Sequence, residues 1–215
     1  RMAHLLTLVD VARLDHFRGF EANWEIPANE PTAQGGHWCP GPGRAFFQSI
    51  REELGTLPII AEDLGIITDD VTRLRRACGF PGMRVMQFAF GDNARNPYLP
   101  HNFGRCTVAY TGTHDNNTTV GWWANASENE RQAARQYLGP VTDSEIHWAM
   151  IQSLSQSVAN TLVVPFQDVL GLDGQHRMNT PGQPEGCWSW RFAWADVSDE
   201  PARRLSSMVR AHGRA

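Results

Sequence analysis

The chain has 215 residues, 41% of them hydrophobic, and a formal net charge of −4. That is enough apolar material for one substantial core, though short of the ~250 residues of a complete eight-stranded β/α barrel. The small negative charge gives no electrostatic reason to expect nucleic acid as a partner, and no apolar stretch approaches the ~20 residues of a membrane span.

Taken in chain order, Arg1-Met2-Ala3-His4-Leu5-Leu6 has neither the long apolar segment nor the cleavage site of a signal peptide. It begins in mid-helix pattern without a cap, which predicts that an upstream portion is absent. Val9 to Asp15 reads as a short buried strand, and Leu57 to Glu62 as a second. Met83 to Phe90, Thr107 to Thr111 and Thr161 to Phe166 follow as the third, fourth and fifth. β-branched and aromatic enrichment favours strand over helix in each. Between them, Thr68 precedes a helix that runs toward Cys78 and stops at Gly79. Arg73, Arg75 and Arg76 on it read as a solvated basic face. Ser127 with Glu130 and Thr142 with Glu145 form capping-box patterns, the second opening a helix that ends near Asn160. Ser198 caps a last helix with Pro201 near its start. Strand alternating with helix predicts an α/β fold with a parallel sheet and right-handed crossovers.

Long Gly- and Pro-rich loops break this rhythm over Glu21 to Gly43, Gly91 to Gly104 and Gly171 to Trp190. Loops of that length in a compact domain are usually functional. Trp24, Trp38, Trp122, Trp123, Trp188 and Trp190 lie in or beside them. They read equally as platforms for sugar rings or as half-buried loop anchors. Cys39, Cys78, Cys106 and Cys187 form no C-x-x-C pair. They read as free thiols in a reducing, cytoplasmic setting rather than as a structural zinc site.

Three carboxylates stand at predicted strand ends, each after an apolar run and before polar or Gly-rich chain: Asp15, Glu62 and Asp115. A β/α barrel carries its chemistry at that point, and two carboxylates are the minimum for breaking a glycosidic bond. Arg13 and Asp15 fall on one face of their strand. A cation there suits a nucleophile, although such a pair alone is more often an ordinary ion pair. Glu62 follows an apolar run, a setting that suits a general acid; alone, Glu62-Asp63 before Leu64-Gly65 reads as a capping element. His114-Asp115-Asn116 could hold sugar hydroxyls, or be a turn built on Asx hydrogen bonds. Asp15, His16, Glu62, His114 and Asp115 could ligate a metal, but they lack fixed His spacing, so no metal or other cofactor is expected.

The combination narrows these alternatives. Arg13-Leu14-Asp15-His16-Phe17-Arg18-Gly19, Ala61-Glu62-Asp63-Leu64-Gly65 and Thr111-Gly112-Thr113-His114-Asp115-Asn116 resemble the signature segments of the 4-α-glucanotransferases (amylomaltases, or disproportionating enzymes) of glycoside hydrolase family 77. Pro81-Gly82-Met83, Gln87-Phe88-Ala89-Phe90, Tyr98-Leu99-Pro100-His101-Asn102, Gln167-Asp168 and Arg177-Met178-Asn179 resemble the same family in the same order. The resemblance implies the (β/α)8 TIM barrel of the α-amylase clan, represented by about strands four to eight. Residues 1–215 would then be the C-terminal portion of the catalytic domain, with the upstream strands and an insertion absent.

It further implies a retaining transfer of α-1,4-glucan segments, with Asp15 as nucleophile, Glu62 as acid/base and Asp115 as transition-state stabiliser. Arg13, His16, Asp63, Phe88, Asp92, His114 and Asn116 would contact substrate, and the partners would be α-1,4-glucans and malto-oligosaccharides. The sequence departs from the family in Cys187, where Asn usually precedes Trp-Ser-Trp-Arg, and in Asn117, where the family has Asp. A hydrolase of the same clan, or a non-catalytic glucan-binding fragment, are the rival readings. A partial barrel predicts weak or no activity for the isolated chain. The sequence assigns no oligomeric state.

Overall fold

A computed structural model of the chain describes residues 1–214 and divides into two compact units, Arg1–Met83 and Arg84–Ala215. The first contains α1 (Met2–Leu5), β1 (Ala12–Leu14), β2 (Ala22–Glu25), β3 (His37–Pro40), α2 (Gly43–Leu54), β4 (Ile59–Ala61) and α3 (Asp69–Cys78). It ends within β5 (Gly82–Val85). β1 and β4 run parallel from Ala12↔Ile59 to Leu14↔Ala61, and β4 meets β5 in parallel at Ala61↔Gly82.

The predicted strand from Val9 begins only at Ala12, where the ladder opens with the Ala12 amide donating to the Pro58 carbonyl. Val9 and Val11 stay exposed. The predicted loop from Glu21 to Gly43 holds an antiparallel hairpin, β2 with β3, in the register Ala22↔Pro40 to Glu25↔His37.

The core of this unit gathers Phe17, Phe47 and Phe80 with Ile59, Ala61, Val71 and Leu74. The Phe17 and Phe47 rings stack at 5.6 Å, and Phe80 meets both edge-on, an arrangement that adds to their area burial. α3 starts with Asp69 and Asp70 in its first turn and stops at Gly79, whose φ of 74° is left-handed. Thr68 makes no side-chain cap there. The solvated basic face is a second correction: Arg75 is buried, because Val71, Leu74, Arg75 and Cys78 share the stripe that α3 turns inward.

The second unit contains β6 (Thr107–Tyr110), α4 (Thr119–Asn125), α5 (Glu128–Leu138), α6 (Ile146–Ser155), β7 (Thr161–Val163), α7 (Phe166–Val169) and α8 (Glu200–Ala211). β6 and β7 pair in parallel from Val108↔Thr161 to Tyr110↔Val163. The chain leaves β5 at Val85 for a 3₁₀ turn over Met86–Phe88, so the predicted strand to Phe90 is half as long. Met86, Ala89, Phe90, Ala109, Trp123, Ile146, Met150 and Leu154 form the core here.

The capping box at α5 forms as expected, with the Ser127 hydroxyl accepting from the Glu130 amide and the Glu130 carboxylate accepting from the Ser127 amide. The second predicted box does not form. Thr142 caps nothing with its side chain, and the Glu145 carboxylate is taken by Arg204 of α8 at 2.5 Å. Asp199 rather than Ser198 occupies the N-cap of α8, without a side-chain bond, and Pro201 lies in the first turn. Among the described residues no helix is long and apolar enough to cross a membrane.

α6 also buries His147, whose Nδ1 has no hydrogen-bond partner. Burial holds its imidazole below the ordinary histidine range, against the smaller opposing pull of Glu145. The folded state therefore binds fewer protons than the unfolded state around pH ~6.5 and below, so His147 costs stability as pH falls. His147→Asn should flatten the decline in unfolding free energy between about pH 7 and 5, measured by urea titration. An unchanged slope would show that His147 does not titrate with folding.

Candidate functional site

The paired register of β1 and β4 fixes the first part of the site. Leu14 faces Ala61 across the ladder, so the next residues, Asp15 and Glu62, stand side by side one step beyond the last pair. The Glu62 amide donates to the Leu14 carbonyl at 2.9 Å, and the Phe17 amide to the Glu62 carbonyl at 3.0 Å. Asp15 is largely exposed, and the Arg13 guanidinium donates to its Oδ1 at 2.7 Å. Arg13 is itself held by its Nε–H on the Met83 sulfur at 3.4 Å.

Both oxygens of Glu62 are engaged by backbone: Oε2 accepts from the His16 amide at 2.7 Å and Oε1 from the Leu64 amide at 2.8 Å. Each oxygen keeps a second lone pair, where a proton can sit. His16, whose amide makes the first of these bonds, adopts a left-handed conformation, φ 48°, costly for a side chain other than glycine. The structure thus brings Arg13, Asp15, His16 and Glu62 together.

Asp63 is different. It is 2% exposed, pairs with Arg75 Nε at 3.0 Å, and accepts from the Met83 amide at 2.7 Å. Gly82 passes so close that a Cβ there would come within 2.5 Å of the Asp63 carboxylate. The expectation that Asp63 contacts substrate is corrected: its carboxylate is buried and holds Arg75 and the start of β5. Arg75→Met removes the guanidinium that pairs with this buried carboxylate and should cost about 3–5 kcal/mol in urea unfolding. Adding Asp63→Leu should recover part of the loss. A cost below about 1 kcal/mol would contradict a structural role for the pair.

In the second unit the segment after β6 builds around Asp115. Thr111 at the strand end donates from its hydroxyl to the buried Asp168 at 2.5 Å, and Asp168 also accepts from the Thr119 amide and hydroxyl. Burial pushes the Asp168 carboxyl above the usual range, and these bonds partly offset that. Asn116 Oδ1 accepts from the Thr113 amide and hydroxyl, three residues back, and Thr113 Oγ1 accepts from the Asp115 amide. The segment is a side-chain-stabilised turn, as the alternative reading anticipated, but closed backward from Asn116 and by Thr113 rather than by a forward Asx bond.

Asp115 is half-exposed. His114 Nε2 lies 3.3 Å from its Oδ2, and the Asn179 side-chain NH2 donates to its Oδ1 at 2.6 Å. Arg177 donates to the Asp115 carbonyl at 3.0 Å. Trp188 has a left-handed φ of 61°, and its ring lies 5.2 Å from His114. Cys187 accepts weakly from the Thr180 amide at 3.3 Å. Phe88 is exposed and meets Tyr98 in a T-shaped contact at 5.4 Å, and Asp92 is exposed with the Asn93 side chain donating to it. Trp123, by contrast, is a buried anchor that donates to Asp143. Motif reading quoted Arg177 and Asn179 without assigning them a role and read Trp188 only as a sugar platform or a loop anchor; their contacts with His114 and Asp115 span more than sixty residues of chain.

The sequence pattern described as 4-alpha-glucanotransferase matches residues 1–196. A protein of Synechocystis of that description is 47% identical over 97% of this chain, which spans 42% of it. One of Thermus thermophilus is 48% identical over 98% of this chain, which spans 44% of it. The chain thus covers about two fifths of these relatives' length. Among solved structures, an amylomaltase from Streptococcus agalactiae in complex with acarbose superposes over 99% of this chain and 43% of its own, with a TM-score of 0.93 and 35% identity.

Proposed function

The chain belongs to the 4-alpha-glucanotransferase family, and on that premise we propose that it carries the reacting carboxylates of an enzyme that moves α-1,4-glucan segments to a sugar 4-hydroxyl. The observation that carries the reading is the placement of Asp15 and Glu62 side by side at the ends of β1 and β4, one held by Arg13 and the other by two backbone amides. Retaining glycosyl transfer requires such a carboxylate pair.

In the proposed sequence an Asp15 oxygen attacks the anomeric carbon. The bond from that carbon to the glycosidic oxygen of the leaving sugar breaks as Glu62 gives the glycosidic oxygen a proton. A glycosyl ester on Asp15 remains. The acceptor hydroxyl then attacks the same carbon, Glu62 takes its proton, and the ester bond to Asp15 breaks. The family resemblance assigns Asp115 to stabilise the positive charge that develops on the sugar, and Asn179 and His114 orient its carboxylate within its own unit. Arg13 orients Asp15, and Phe88 with Asp92 extends the contact along the glucan. His16 is assigned to substrate through its imidazole and Asn116 through its side-chain NH2, since the His16 backbone amide and Asn116 Oδ1 are already committed.

The acarbose complex of the related amylomaltase supports an α-glucan as ligand. Free thiols at all four cysteines support the cytoplasmic location expected from the sequence, although related plant proteins are described as chloroplastic or amyloplastic. Incubation of a catalytically active form of the protein with maltotriose tests the reading. Transfer yields glucose together with oligomers longer than the substrate, whereas release of glucose and maltose alone would favour the hydrolase.

A further inference from the structure

The hairpin of β2 and β3 carries a group of side chains that the proposed transfer does not use. Alternation places Asn23 and Glu25 on one face of β2, and the register sets them opposite Cys39 and His37 of β3 on that same face. The Glu25 carboxylate, a His37 ring nitrogen and the Cys39 sulfur all lie within 4.8 Å of one another. Among the described residues this is the one group of three or more His, Cys, Asp and Glu side chains so close.

The other face explains why the hairpin holds its shape. Trp24 and Trp38 are paired across the strands at 5.3 Å, and the Trp24 indole donates to the Ala33 carbonyl at 2.8 Å. Arg18 lies 4.2 Å over the Trp38 ring. Gly36 runs so close beneath Trp24 that a Cβ would fall within 2.3 Å of its Nε1. The connection is therefore packed onto the tryptophans, and the polar face is presented by a fixed scaffold.

We propose that this face binds one zinc-class divalent ion through the Glu25 carboxylate, the His37 imidazole and the Cys39 thiolate, with water in the fourth position. Thiolate, imidazole and carboxylate together select zinc over magnesium or calcium. Zinc–ligand bonds of about 2.0–2.3 Å imply ligand–ligand edges of roughly 3.3–3.8 Å. Small side-chain rotations of these surface residues close the remaining gap. Asn23 donates to Glu25 Oε1 at 3.0 Å and would orient that ligand from behind. On binding, the Cys39 S–H bond breaks, its proton passes to solvent, and a sulfur–zinc bond forms. The reading revises the sequence expectation of no zinc site, since the ligand spacing comes from the hairpin register and not from adjacent cysteines. It stands apart from the carboxylate chemistry at Asp15 and Glu62.

Cobalt(II) is the probe, because thiolate ligation gives a sulfur-to-cobalt charge-transfer band and tetrahedral geometry gives visible d–d bands. Anaerobic titration of the reduced protein should show both at one equivalent, and zinc(II) should abolish them in competition. Cys39→Ser should remove the charge-transfer band, and His37→Ala and Glu25→Gln should each weaken binding at least about tenfold. Cys106→Ser, at an exposed thiol elsewhere, should change nothing. Circular dichroism of each variant reports that the fold is kept. A band that survives Cys39→Ser overturns the proposal. So does binding that depends on Cys39 but is indifferent to His37 and Glu25, which would mark a lone thiol. Absence of stoichiometric cobalt binding overturns it as well.

Discussion

In a form of the protein that is catalytically active to begin with, Asp15→Asn is expected to abolish glucan transfer, by on the order of 10⁴-fold or more, the scale seen when a covalent nucleophile is removed. An amide oxygen does not form the glycosyl ester, and no other carboxylate occupies the end of β1. The fold should survive, because Asp15 is largely exposed and its one ion pair, to Arg13, is worth little to stability at that exposure. Circular dichroism and the thermal midpoint should therefore match the parent while product formation from maltotriose disappears. Parent-like turnover with the fold intact would remove Asp15 from the mechanism.

Glu62→Gln carries the second large effect, with a different signature. General acid catalysis typically contributes ~10²–10⁴-fold, and it matters in proportion to how poor the leaving group is. The variant should lose most of its rate on maltotriose yet keep far more on α-maltosyl fluoride, because fluoride departs with little protonation. The Gln side chain retains one acceptor oxygen, so one of the two amide contacts, from His16 or Leu64, is lost. That loss belongs to stability and affects both substrates alike. Equal losses on the two substrates would assign Glu62 a structural role in place of a proton-transfer one.

How far the sequence revealed this molecule depended on the range of each interaction. The strand-end placement of Asp15 and Glu62 was legible because each ends an apolar run, and period and polarity are local signals; Asp115 lies five residues beyond the end of β6 at Tyr110. The Ser127–Glu130 capping box was legible for the same reason. Thr142 and Glu145 carry the same pattern, but Arg204, 59 residues on, competes for the Glu145 carboxylate and wins at 2.5 Å. Asp63 sits in a motif that suggests substrate contact, yet its partner Arg75 lies on a stripe with Val71, Leu74 and Cys78. That stripe follows helical spacing and was readable in advance; the clustering of three arginines obscured it. The hairpin of β2 and β3 was hidden because its strands are four residues each and its connection is rich in Pro and Gly. Asn179 on Asp115 depends on chain folding back over 64 residues, which no window of sequence encodes.

The most direct test of the proposed chemistry is to look for the ester itself. The Glu62→Gln protein, given α-maltosyl fluoride, should accumulate the glycosyl-enzyme, because deglycosylation lacks its base while the first step needs little acid. Intact-mass spectrometry should show one added maltosyl unit, and peptide mapping should place it on Asp15. A maltosyl adduct on another carboxylate, or none under conditions where fluoride is released, would contradict the account.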